Sequence, residues 1–209
     1  MINFHTHIPQ PDAIVNIDLS QGVLPDTIGV FGYSVGIHPW STATAGEADF
    51  ERVARSAALP EVVMIGECGL DALRGAPMYR QEPIFERHVE LSEELEKPLL
   101  IHCVKAYNQL INIHKRKNPS QRWIVHGFRG NNTVAAQLMN RGIALSFGPH
   151  FNVAALRATR LDHLLVETDD DADTPIEAVY ERVADALGVD ADFVARVVAN
   201  NVEALFPSR

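Results

Sequence analysis

Short runs of apolar, largely β-branched residues recur along the chain at 2–5, 14–18, 31–36, 62–66, 99–103, 123–127, 143–147 and 164–168. Each run is continuous rather than alternating, the pattern of a strand buried on both faces of a parallel sheet. From the third run onward the intervals carry helical periodicity, over 48–58, 79–96, 105–117, 133–140 and 153–160. Two further helices are predicted over 175–187 and 191–204, the first with Thr174 as its cap and Pro175 at its first position. Alternation of strand and helix predicts an α/β fold with a parallel sheet, and eight strands predict a TIM-type (β/α)8 barrel. Such barrels typically take about 250 residues, and this chain has 209. The saving lies at the front, where only 8–13 and 19–30 separate the first three strands, so one or two outer helices are expected to be missing near the N-terminus. No internal repeat, low-complexity tract or Gly/Pro/Ser-rich linker interrupts the sequence, which reads as a single domain over 1–209.

Charge narrows the partners. With 18 basic and 27 acidic residues the net charge is −9, which opposes capture of nucleic acid by broad electrostatic attraction. Any polyanion must therefore be gripped locally. No apolar stretch approaches the roughly 20 residues of a membrane span, and the first residues lack the basic and apolar regions of an export signal. No membrane partner is expected, and the cytoplasm is the expected compartment. Two cysteines, Cys68 and Cys103, cannot build a disulfide framework and suit a reducing environment. Strand alternation turns them away from their ligand-type neighbours, so both read as core thiols.

The chemistry gathers at strand ends. His5 and His7 close the first strand two residues apart, on one side of an extended segment. Glu67, His102, His126 and Asp169 fall at the ends of four other strands. In a parallel barrel those ends form one rim, so five strands would aim six metal-ligand side chains at one place. Four imidazoles and two carboxylates suit two divalent ions, zinc or manganese ahead of magnesium. Metal-assisted hydrolysis is the implied reaction class. Glu67 is the expected bridge between the ions, and Asp169 is expected to bind one ion and accept the nucleophile's proton. His38, after the third strand, is a candidate hydrogen-bond donor or acid. Arg74, Lys105 and Arg129 are candidate substrate contacts alongside it.

These residues lie in motifs that resemble the TatD family of metal-dependent deoxyribonucleases. The similarity is carried in order by His5-Thr6-His7, Gly36-Ile37-His38-Pro39, Gly66-Glu67-Cys68-Gly69-Leu70-Asp71, Ile101-His102, Val125-His126-Gly127-Phe128, Leu145-Ser146-Phe147 and Glu167-Thr168-Asp169. Asn201-Val202-Glu203-Ala204-Leu205-Phe206 extends it almost to the C-terminus. The resemblance implies a TIM-barrel hydrolase of the amidohydrolase type that cleaves phosphodiester bonds in DNA. It also implies that His5, His7, Glu67 and Asp169 hold one metal and that Glu67, His102 and His126 hold the other.

The departures bear on substrate. Asn3 stands where the family usually has Asp, and His102-Cys103-Val104-Lys105-Ala106 puts Val104 where an arginine is expected to meet phosphate. Lys105 supplies a charge one position on but no bidentate fork. Asp169-Asp170-Asp171 replaces the usual Asp-Ser-Pro, and the following loop is short. The expectation is an open site suited to a small phosphate ester or a single-stranded DNA end. Two alternatives stay open: amidohydrolase-type hydrolysis of a small amide or lactone, and metal binding without turnover.

Overall fold

The apolar runs form eight parallel strands, ordered in the sheet as in the chain: β1 (Asn3–Thr6), β2 (Ala13–Ile17), β3 (Gly32–Val35), β4 (Val62–Asp71), β5 (Leu99–Val104), β6 (Trp123–Val125), β7 (Ala144–Phe147) and β8 (Leu164–Val166). The structure, a computed structural model, describes residues 1–17 and 31–206. Its helices are α1 (Glu47–Ala57), α2 (Met78–Glu94), α3 (Tyr107–Lys117), α4 (Asn132–Met139), α5 (Val153–Ala158), α6 (Ile176–Leu187) and α7 (Ala191–Leu205). The chain passes from β1 to β2 through 7–12 without a helix, so one outer helix is absent there. The interval 19–30, where a second omission is expected, lies outside the described residues. Among those residues, no helix is long and apolar enough to cross a membrane.

Of the boundaries that differ from the sequence reading, two have local reasons that bear on the site. Helix α6 starts one residue late, at Ile176, because the Thr174 hydroxyl donates to Asp171 Oδ2 (2.8 Å) instead of capping. The fourth apolar run ends at Gly66, yet β4 continues to Asp71. Gly66 and Gly69 have φ of +129° and +141°, which side chains other than hydrogen strain to adopt. A Cβ at Gly66 would lie 2.3 Å from the Leu100 carbonyl oxygen, and one at Gly69 would lie 2.0 Å from that of His102. These glycines extend the strand by letting its backbone approach β5, rather than ending it.

The described chain divides into two compact units. The first comprises residues 1–15 and 125–206 with Phe31. Within it β1 meets the end of β8: the Asp169 amide donates to His5 O and the His7 amide to Asp169 O, both at 3.1 Å. Asn3 and Thr168 bond reciprocally, Asn3 Nδ2 donating to Thr168 Oγ1 (2.8 Å) and the Thr168 amide to Asn3 Oδ1 (3.1 Å). An amide both gives and takes here, which accounts physically for asparagine at this position. Helix α7 supports the start of β8 through Asn201 Nδ2, which donates to the carbonyls of Leu161 and Leu164 at 2.7 and 2.8 Å.

The second unit comprises residues 32–124 with Asn16 and Ile17. There α2 is tied to the end of β3 by a fully buried histidine. His88 Nε2 accepts from the Ile37 amide (2.9 Å), so Nδ1 carries the proton and donates to Ile84 O (2.7 Å). Burial pushes the His88 pKa down to about 4 from its ordinary 6.5. Between those values the unfolded chain binds a proton that the native chain does not, so stability falls as pH falls through this window. The expected cost between pH 7 and pH 5 is about 2 kcal/mol. Denaturant unfolding at the two pH values should show that difference, and His88→Gln, which donates and accepts without titrating, should remove most of it.

Candidate metal centre

In the first unit the carboxyl ends of β1, β6 and β8 bring together His5, His7, His126, Glu167 and Asp169. Ligand atoms of His5, His7 and Asp169 lie within 4.8 Å of one another, as do those of His126, Glu167 and Asp169. Asp169 Oδ1 stands 3.4 Å from His5 Nε2 and 3.6 Å from His7 Nε2. The imidazoles of His5 and His126 meet edge to face at 4.4 Å. Asp169 has φ of +59°, a left-handed turn that aspartate tolerates better than most residues. That turn lets its backbone pair with β1 while its carboxylate faces both histidines of that strand.

Glu167 is the participant that sequence reasoning passed over in this unit. It is fully buried, and its Oε1 accepts from the Gly127 amide (2.7 Å) and faces His126 Nδ1 (3.3 Å). Its Oε2 is buried without a hydrogen-bond partner among the described residues. An orphaned buried carboxylate oxygen is costly unless positive charge is supplied nearby, and a cation held by the neighbouring donors would supply it. Imidazole and carboxylate oxygen are the donor types that zinc and manganese accept.

In the second unit the ends of β3, β4 and β5 gather His38, Glu67 and His102, again with ligand atoms within 4.8 Å. Glu67 Oε1 lies 2.9 Å from both His38 Nε2 and His102 Nδ1. Asp71, a second residue that carried no assigned role, receives the other face of the same imidazole: His102 Nε2 is 3.2 Å from Asp71 Oδ2. That oxygen also accepts the Trp40 indole N–H at 2.7 Å, while Oδ1 accepts from the amides of Leu73 and Arg74. Burial pushes the Asp71 carboxyl up, but the hydrogen bonds from Trp40, Leu73 and His102 outweigh it and the net direction is down. Period-two spacing was the available signal. Asp71 follows Glu67 by four residues on one strand, and Glu167 precedes Asp169 by two.

Arg74 places its guanidinium 4.6 Å over the Trp40 ring. Lys105 and Arg129 are exposed after β5 and β6, and among the described residues neither side chain makes a hydrogen bond or ion pair. Cys68 and Cys103 are buried free thiols, and burial pushes both well above the usual thiol range. That disfavours the thiolate a nucleophile needs. The acidic run after β8 is a turn in which Asp171 Oδ1 accepts from the amides of Asp173 and Thr174.

The model of the TatD-related DNase family matches residues 25–207. Over 152 residues the chain is 32% identical to an uncharacterized metal-dependent hydrolase of Buchnera aphidicola, covering 68% of this chain; it spans 57% of that relative's length. It is 27% identical over 202 residues to the 3'-5' ssDNA/RNA exonuclease TatD of Escherichia fergusonii, covering 83% of this chain and 76% of that one. Among solved structures, the TatD homologue YJJV of Escherichia coli superposes with a TM-score of 0.80 at 20% identity, over 94% of this chain and 86% of that one. That likeness fixes the fold as a TIM-type (β/α)8 barrel. With the family model matched across most of the sequence, this chain belongs to the TatD-related DNase family of metal-dependent hydrolases.

Proposed function

We propose that the protein hydrolyses phosphodiester bonds at the ends of single-stranded nucleic acid, or in small phosphate esters, using two divalent cations. His5, His7, Glu67 and Asp169 would hold one ion, and Glu67, His102 and His126 the other, with zinc or manganese favoured over magnesium by the imidazole content. The observation that carries this reading is that the clustered imidazoles and carboxylates stand at strand carboxyl ends, the catalytic face of this fold. The nuclease names of relatives such as the E. fergusonii enzyme support the substrate class. When bound, the cations supply the positive charge that acidifies a water and neutralises the phosphate oxygens.

The remaining roles belong to the chain's own groups. Asp169 Oδ1 accepts the proton released by the attacking water. His38, whose Nε2 lies 2.9 Å from Glu67 Oε1, donates toward the ester oxygen. Val104 offers no guanidinium to the phosphate, which motivates testing amides in parallel. The experiment is chelation with EDTA, dialysis, and restoration with zinc, manganese or magnesium. Activity is followed on bis(p-nitrophenyl) phosphate, a single-stranded oligonucleotide and a panel of cyclic amides and lactones. Phosphodiesterase activity should vanish on chelation and return with metal. Chelator-insensitive turnover, or turnover confined to amides or lactones, would overturn the proposal, as would tight metal binding with no turnover at all.

A further inference from the structure

Trp40 is an exposed aromatic held as firmly as a buried one. Its residue is 48% accessible, whereas Trp123, the other tryptophan, is 1% accessible. The Trp40 indole N–H donates to Asp71 Oδ2, and its backbone amide donates to His38 Nδ1 at 3.2 Å. Its ring meets the imidazole of His38 at 4.7 Å and that of His102 at 5.9 Å, both edge to face. The turn that carries it, Pro39–Ser41, is fastened to the loop after β4. The Thr42 hydroxyl donates to Pro39 O (2.6 Å) and accepts from the Ala76 amide (3.3 Å). Gly75, with φ of +81°, lets that loop pass so close that a Cβ would lie 2.2 Å from Pro39 O.

Arg74 is anchored by the same groups. Its amide donates to Asp71 Oδ1 (3.1 Å), its carbonyl accepts from Gln81 Nε2 (3.0 Å), and its guanidinium rests over the indole. Among the described residues that guanidinium has no carboxylate partner. An indole and an arginine fork are thus pinned, half in solvent, by the carboxylate that also meets His102. Ordering surface side chains costs entropy, and Trp40 is ordered with 48% of its surface still open to solvent.

We propose that Trp40 and Arg74 form a substrate subsite in which a nucleobase stacks on the indole while the guanidinium meets a phosphate of the same strand. The inference rests on the phosphodiesterase reading above and names how the strand is gripped. A chain of net charge −9 cannot hold a polyanion by broad attraction, and stacking supplies affinity that does not depend on charge. Every base has a π-face, so the grip is tolerant of sequence. The flat cation over the ring also keeps the donor fork where a bidentate phosphate contact needs it.

The test uses metal-loaded full-length protein and two probes: a phosphorothioate oligothymidylate, and an abasic oligonucleotide of the same length and charge. Fluorescence of the exposed tryptophan should be quenched by the first and not by the second. Trp40→Ala should lose the quenching and raise KM on single-stranded DNA about tenfold, with a much smaller rise on the abasic strand, which loses only the placement of the Arg74 fork. Trp40→Phe, which keeps a ring but loses the indole N–H, should fall between. Equal quenching by both probes, or a KM change of the same size on both strands, would overturn the subsite. Hydrolysis of DNA without any quenching would remove the subsite and leave the phosphodiesterase reading standing. Selective quenching with no hydrolysis would do the reverse.

Discussion

Asp169→Asn is expected to lower kcat on bis(p-nitrophenyl) phosphate by roughly a thousandfold, within the range that removing a general base produces, while leaving the protein folded. The two effects separate because the residue's structural work is done by its backbone. The Asp169 amide donates to His5 O, and its carbonyl accepts from the His7 amide and from Thr6 Oγ1 at 3.0 Å. Asparagine makes the same bonds and tolerates the same left-handed turn. What the substitution removes is a negative charge 3.4 Å from His5 Nε2 and an oxygen able to take a proton. Unfolding midpoints of variant and parent should therefore agree closely while turnover collapses. A variant that keeps native turnover would show that the proton goes elsewhere.

How much of this site was readable beforehand follows from which forces are local. Strand positions could be read because burial on both faces leaves an uninterrupted apolar run, and Val63, Met64 and Ile65 of β4 are buried as that pattern demands. The end of β4 could not, because glycine in a sequence is as consistent with a stop as with the close strand approach that Gly66 and Gly69 make. Histidines and carboxylates at strand ends were visible as residue types at the right spacing. The roles of Asp71, Glu167 and Trp40 were not. Asp71 acts only once the Pro39–Ser41 turn lies against the loop after β4, a contact between residues about 30 positions apart. No periodicity encodes it. Lys105 and Arg129 stand at the opposite pole: sequence position suggested substrate contacts, and what the fold gives them is exposure after strand ends.

The second large effect is expected at the carboxylates behind the histidines. His126 meets Glu167 through Nδ1, which places the proton on Nδ1 and leaves the lone pair on Nε2. His102 faces Asp71 through Nε2 at 3.2 Å and Glu67 through Nδ1 at 2.9 Å, so carboxylate oxygens stand at both of its nitrogens. Long-range nitrogen–proton NMR on metal-free protein should find His126 protonated at Nδ1. Such partners orient a ligand and raise its basicity, and losing one typically costs 10–100-fold in metal affinity. Glu167→Gln and Asp71→Asn should each weaken zinc binding by about that factor in calorimetry. Each amide retains the side chain's shape but presents a donor where an oxygen had accepted. At 167 an amide N–H turned toward His126 Nδ1 reverses that tautomer and leaves the Gly127 amide short of an acceptor, and at 71 the amide must leave either the Trp40 N–H or the loop amides short of one. The two variants should therefore differ in kind: Glu167→Gln shifts the His126 signals, while Asp71→Asn also changes the fluorescence of Trp40. Zinc affinities within twofold of the parent, with the His126 tautomer unmoved, would mean that these carboxylates serve only the packing of their own loops.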